Sequence, residues 1–470
     1  MTARRVFLYT VFPLACLVVS GCDVSGRPSA RPERGGPEIR IRLVTASALL
    51  VSFPGEVDVI SLDDRRPLYR SRLPSPCPVT VRDGMLEIGG RRFSTPVRLV
   101  YRDGSDRSAG KAVESGEAAL AARDDGKAGT AVAGRAVALA EPASETSEGE
   151  LREAWLHPTN GDRRTFLIAT TDPGDEPRRY RGALDLYPRD GKSGKDGKLV
   201  AVNALDLETY LAGVIAEEMP AQYSFEALKA QVVASRTYAL YSLRLAERQG
   251  RSGVFSAGTV FQVYRGVSAE HPRVLQALEQ TRGQVLTYLG RLFRAYFHST
   301  CGGQTAAAAL AFDEPDIPPL GGTWCGACED TKFSHWRTPL AVEILDAAVR
   351  RRLARVGSGM GVGELRGLEV SDTGPDGRVR YVRVDHSLGS FEWRADRFQR
   401  QIEAVARGTI RSTRFHIDRG EKAGDYVVEG RGWGHGVGLC QVGAGRLAKT
   451  MDYPEILGRY YPKSGLRKAY

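Results

Sequence analysis

Two adjacent carboxylates, Glu217 and Glu218, stand just ahead of Met219 and Pro220. Carboxyl groups move protons, so the question is whether either is held out of water. Asp206 is a fit helix N-cap, and Leu207, Tyr210, Leu211, Val214 and Ile215 follow it at helical spacing. At about 100° per residue, Glu218 falls roughly 20° from Leu207 on the same wheel, and Glu217 roughly 80° to the other side. Pro220 disfavours helix at Met219, so the helix should end near Glu218. Desolvation and the negative end of the helix dipole both raise a carboxyl pKa, which suits a general acid. The bland alternative is a pair of solvated helix-end glutamates.

Other chemistry-bearing residues follow. Cys325 and Cys328 form a C-x-x-C pair, with Cys301, His298 and His335 nearby in sequence. Cys301, Cys325, Cys328 and His298 would complete a closed tetrahedral zinc site, and a disulfide fits the same cysteines equally well. A thiol-redox motif is disfavoured, because no βαβ pattern surrounds the pair. The run from Gly430 to Gly438 carries glycine at alternate positions around Trp433 and His435. It is not a phosphate loop, since no Gly-Lys-Ser/Thr follows. Alternating glycines would let a polymer backbone approach, Trp433 could stack on a sugar, and His435 and Gln441 could hydrogen-bond it. A tight turn with a satisfied histidine is the competing reading.

The elements that must position these residues read as an α+β protein. A second helix starts after Ser224 with Glu226 in its first turn, and Phe225, Leu228, Val232 and Leu240 continue its apolar face. Residues 272–282, 340–356 and 394–406 also read as helices. Hairpins are expected for 284–288 with 292–298, and for 365–370 with 379–384 across Pro375-Asp376-Gly377. A β pattern opens at Glu38 and continues through 49–53, 57–61, 79–82, 86–88 and 97–101. The reading is therefore a mixed domain, short helices packed on antiparallel strands, at 151–470. A small β module at 38–102 and an insertion at 103–150 precede it. That insertion contains no aromatic residue and is predicted to be disordered. Cys77 reads as a lone thiol in a Pro-rich turn.

Residues 202–240 resemble the core signature of the SpoIID/LytB family. Matching segments follow in the same order at 297–303 (FHSTCGG), 410–415 (IRSTRF) and 430–441 (GRGWGHGVGLCQ), and the stretch 455–462 also fits. The resemblance covers roughly residue 179 onward. It implies a peptidoglycan lytic transglycosylase whose catalytic acid/base is Glu218, with glycan strands as substrate. Lys229 and Arg236 are then plausible contacts for muramyl carboxylates, beside Trp433, His435 and Gln441. The LytB name also covers wall-binding enhancers of an amidase, which makes an amidase a possible partner. Zinc-containing members carry His and Cys between positions 250 and 266; this chain has neither there and places Phe261 at the cysteine position.

The 470 residues, 42 % hydrophobic, allow a sizeable core and two domains, and the net charge of +10 favours an anionic partner. Arg4 and Arg5 precede an apolar run over 6–19 that is too short for a comfortable membrane span. With Ser20-Gly21-Cys22 this is a signal peptide at 1–21, followed by a linker at 22–37. Residues 19–22 resemble a lipobox, which would make Cys22 a lipidated anchor to the membrane. Export to the periplasm or cell envelope makes nucleic acid an unexpected partner despite the charge.

Overall fold

The computed structural model describes residues 36–102, 165–171, 176–189, 197–258, 261–332, 334–356, 363–422 and 424–470. The expected signal peptide at 1–21, most of the expected linker at 22–37, Cys22 and the expected insertion at 103–150 lie outside these residues. Alternating apolar residues dictate two sheets around one core. Ile39, Ile41, Leu49, Val51, Val57, Val59, Val79, Leu86, Val97 and Leu99 are all buried. The first sheet runs Val254–Ser256, Glu38–Ala46, Lys198–Asp206, Ala183–Arg189, Val97–Tyr101, Glu56–Ser61, Pro67–Arg72. The second runs Arg178–Arg181, Thr165–Thr170, Ala48–Ser52, Cys77–Arg82, Met85–Ile88, Arg91–Phe93.

The strands of 38–102 therefore do not close on themselves. Glu38–Ala46 pairs antiparallel with Lys198–Asp206, from Glu38 opposite Asp206 to Ala46 opposite Leu199. Val97–Tyr101 pairs with Ala183–Arg189, and Ala48–Ser52 with Thr165–Thr170. The expected small module shares both its sheets with the chain from residue 165 on, because its inward apolar rows are completed by Leu184, Leu186, Leu199 and Ala201 in one sheet and by Phe166, Ile168 and Tyr180 in the other. Two short strands, Pro67–Arg72 and Arg91–Phe93, escaped the sequence reading; their exposed, arginine-rich faces carry little apolar signal. Cys77 opens a strand and is buried rather than sitting in a turn.

The long strand ending at Asp206 delivers the helices. Asp206 Oδ1 accepts the Thr209 N–H at 3.0 Å, the expected cap, and starts α1 (Leu207–Ala212). One continuous helix to Glu218 does not form. It breaks at Gly213, and a single turn, α2 (Ile215–Glu218), follows. A Cβ at Gly213 would come within 2.6 Å of the Tyr264 ring, so only glycine admits the segment that packs there. After Pro220, α3 (Phe225–Arg248) runs through the core with Leu228, Val232, Val233 and Leu240 buried. Ser224 occupies its N-cap position, but its side chain makes no capping bond.

Further on come α4 (Pro272–Gln280), α5 (Ala308–Phe312), α6 (Val342–Val356), α7 (Ala395–Val405), α8 (Gln441–Leu447) and α9 (Tyr453–Tyr460). The expected hairpin at 284–298 is cut short. Gln284–Tyr288 pairs with Arg291–Leu292 and with Gly465–Lys468, while Phe297–His298 turns away to pair parallel with Leu439–Cys440.

A second, smaller core lies between residues 335 and 431. Strands His335–Leu340, Tyr426–Arg431 and Phe415–Arg419 make one sheet. Leu365–Thr373, Val379–His386 and Gly389–Arg394 make another, which includes the expected hairpin. Trp336, Leu345, Val349, Trp393, Phe398 and Ile402 bind them and α6 and α7 together. This unit is inserted within the chain that builds the first core.

Candidate active site

Glu218 ends the one-turn α2 and is half-buried, while Glu217 is exposed. The segment after residue 260 is clamped against the α1–α2 junction, since Arg265 donates its backbone N–H to the Gly213 carbonyl at 3.1 Å. That clamp aims the Val263 N–H at Glu218 Oε1, 2.9 Å away. Oε2 has no partner among the described residues. Burial pushes the Glu218 carboxyl above the usual range; the Val263 bond pulls the other way, and the neighbouring Glu217 charge adds to the rise. The helix-dipole contribution expected from sequence shrinks, because a single turn carries little dipole. Glu217 instead meets the exposed Arg265 at 3.3 Å.

An aromatic wall leads away from this carboxyl. Burial raises the Tyr238 hydroxyl; the Arg294 charge pulls the other way, and the charges of Glu314 and Glu218 add to the rise. Its ring lies 5.6 Å from Phe261 and 5.9 Å from Tyr296, and Tyr296 lies 5.7 Å from His435. Phe261 stacks on Phe255 at 4.3 Å. Beside the wall, Glu314 Oε1 accepts from Arg294 Nη1 at 2.5 Å and from the Tyr296 hydroxyl at 2.9 Å. Sequence reading missed Tyr238, Val263, Arg294 and Glu314 as neighbours of Glu218 or of the wall, because no spacing rule joins residues that only tertiary packing brings together.

Of the predicted substrate contacts, only one keeps an exposed face. Trp433 is 40 % exposed, with the Arg411 guanidinium 5.0 Å from its ring centre. Arg236 is fully buried and forks onto Glu208 at 2.8 and 2.7 Å, so it is structural rather than a substrate contact. Lys229 pairs with Glu226 at 2.5 Å and lies over the Phe225 and Tyr453 rings. Gln441 is buried and donates to Gln231 Oε1 at 3.3 Å. His435 Nδ1 accepts the Val437 N–H at 3.1 Å, which puts its proton on Nε2. Burial and Arg378 hold its pKa down at about 4, so the ring is neutral near pH 7. It lines a small cleft with Phe312, Arg378, Arg380, Arg394 and Asp396, between the two cores. The residues lining that cleft do not include Glu218.

The alternating glycines make room for protein, not polymer. A Cβ at Gly438 would meet the Tyr296 carbonyl at 1.9 Å, and one at Gly436 the Arg378 guanidinium at 2.2 Å. Both have positive φ. The segment is stitched to residues 296–303 on one side and to the inserted unit on the other.

The cysteines gather differently from expectation. Cys301, Cys325, Cys328 and Cys440 bring their sulfurs within 4.8 Å of one another, all buried. His298 is not among them: its Nδ1 donates to the Val437 carbonyl at 3.0 Å and its ring faces His435 at 5.5 Å. Cys440 takes its place because the parallel pairing of 297–298 with 439–440 sets Cys440 beside the loop that follows His298.

Comparison with known proteins adds to this geometry. The family model for Stage II sporulation protein matches residues 195–288, and a domain of unknown function (DUF8618) matches 326–438, most of the inserted unit. An uncharacterized protein of Brachyspira hyodysenteriae is 31 % identical over 284 residues, 60 % of this chain and 70 % of that one. The amidase enhancer of Bacillus subtilis is 30 % identical over 54 % of this chain but only 40 % of its own length. Stage II sporulation protein D of the same organism is 27 % identical over 56 % of this chain and 74 % of its own. By this family match and these relatives, the chain belongs to the SpoIID/LytB family.

Proposed function

We propose that this protein cleaves peptidoglycan glycan strands at the bond between N-acetylmuramic acid and N-acetylglucosamine, as a lytic transglycosylase at the cell envelope. The observation that carries the reading is the Glu218 carboxyl: half-buried, raised in pKa, steadied through one oxygen and unpartnered at the other among the described residues. The protonated acid gives its proton to the glycosidic oxygen as the bond to the muramyl C1 breaks. The muramyl 6-hydroxyl then bonds to C1, and its proton returns to Glu218. The product is a 1,6-anhydro sugar, no water is consumed, and one carboxyl serves both steps. Glu314 has one oxygen, Oε1, engaged by Arg294 and Tyr296, and the proposed route asks nothing of it, whereas hydrolysis would need a second carboxylate. Trp433, exposed beside Arg411, offers a sugar platform with a cation for a lactyl carboxylate. Membrane attachment through Cys22 is part of the same proposal. No helix among the described residues is long and apolar enough to cross a membrane.

A second reading, a wall-binding protein that enhances an amidase, draws on the likeness to the amidase enhancer and on a cleft whose lining does not include Glu218. Purified protein incubated with peptide-free glycan strands separates the two. Anhydro-muramyl ends seen by mass spectrometry, lost in Glu218→Gln, support the enzyme. Intact strands together with stimulation of an added amidase support the enhancer.

A further inference from the structure

Four cysteines meet at the neck of the inserted unit. Cys325 and Cys328 lie where the chain enters it, Cys440 just after it returns, and Cys301 in the loop both passages cross. We propose that Cys301, Cys325, Cys328 and Cys440 bind one zinc ion in a closed tetrahedral site that pins both passages to the half carrying Glu218. Zinc–sulfur bonds of about 2.3 Å in a tetrahedron set sulfurs roughly 3.8 Å apart. The sulfurs here all lie within 4.8 Å of each other, with Cys301 and Cys328 at 3.3 Å. Disulfides would join them in pairs and give no reason for four sulfurs to share one centre.

The surroundings suit metal-bound thiolates. Cys440 Sγ accepts the backbone N–H groups of Cys301 and Gly443, each at 3.3 Å, and the Tyr460 hydroxyl lies 3.1 Å from Cys325 Sγ. A Cβ at Gly443 would stand 2.7 Å from Cys325 Sγ and 3.2 Å from Cys440 Sγ, so glycine there keeps the space beside the sulfurs open. Four thiolates on one divalent ion leave a net negative charge. Buried Arg378 answers it from the inserted unit, donating to the Cys301 carbonyl at 2.9 Å. All four positions are protein thiolates, so the ion is structural and stands apart from the Glu218 chemistry.

The test is the metal and thiol content of the purified full chain. One zinc per chain is expected, with all four thiols alkylated only after chelation under denaturing conditions. Cobalt-grown protein should show the intense absorption of tetrahedral cobalt thiolate. Cys440→Ser should bind zinc at least tenfold more weakly, and His298→Ala should keep full occupancy. Metal-free protein with these cysteines paired as disulfides overturns the proposal. So does zinc retained in Cys440→Ser but lost in His298→Ala. The wild-type measurement decides even if a variant fails to fold, and neither readout depends on glycan cleavage.

Discussion

A carboxyl raised by burial has consequences for stability as well as for catalysis. Glu218 binds its proton more tightly folded than unfolded. Its contribution to stability is therefore full below the unfolded pKa and declines as pH rises through the folded one. Glu218→Gln mimics the protonated form, so it should melt at the same or a higher temperature than wild type at pH 8. The two should converge at pH 4, while glycan cleavage falls at least about a hundredfold. Parallel melting curves and product assays would check this, and a variant that melts much lower at pH 8 would contradict the buried-acid picture. His435 runs the opposite way. Its folded pKa of about 4 lies below the unfolded value, so stability is lost as pH falls from roughly 6.5 toward 4. His435→Gln should flatten that part of a melting-temperature profile, because the buried ring no longer resists a proton that the unfolded chain accepts.

At the scale of elements, Arg236 shows what a helix position alone could not reveal. It lies on α3 close to Glu218 in sequence, yet its fork onto Glu208 joins α1 to α3, with the Tyr470 hydroxyl at 2.6 Å and the Gly283 N–H at 3.2 Å on the same Glu208 oxygen. Arg236→Ala should cost about 3–5 kcal/mol by stranding a buried carboxylate. Denaturant titration measures that loss, and at a temperature where the variant is folded its KM for glycan should match wild type. Local signals were legible where local physics decides: the Asp206 cap, the helix starting at Pro272, the 365–384 hairpin, the breaking power of Pro220. They failed where distant packing decides. Gly213 splits a helix whose apolar stripe reads as continuous, because Tyr264 arrives from far along the chain. Alternating glycines and His435 looked like a binding surface, and the structure spends them on contacts with Tyr296, Arg378 and Val437. Cys440 joined the sulfur cluster through a strand pairing that no spacing announces.

For the whole molecule, the pairing of Glu38–Ala46 with Lys198–Asp206 governs how the chain may be cut. The stretch matching the family model starts with that second strand, whose neighbours on either side are Glu38–Ala46 and Ala183–Arg189. A truncated protein beginning at residue 151 should therefore be insoluble or molten by near-UV circular dichroism, whereas one beginning at 36 should fold. Equal folding of the two would refute the shared sheet. Order of synthesis matters as well. Glu38–Ala46 leaves the ribosome well before Asp206 and must wait for it before their antiparallel hydrogen bonds can close, so Ile39 and Ile41 lack that partner until then. Escorting factors that shield sticky edges should accordingly find a target in Glu38–Ala46, far along the polypeptide from Glu218.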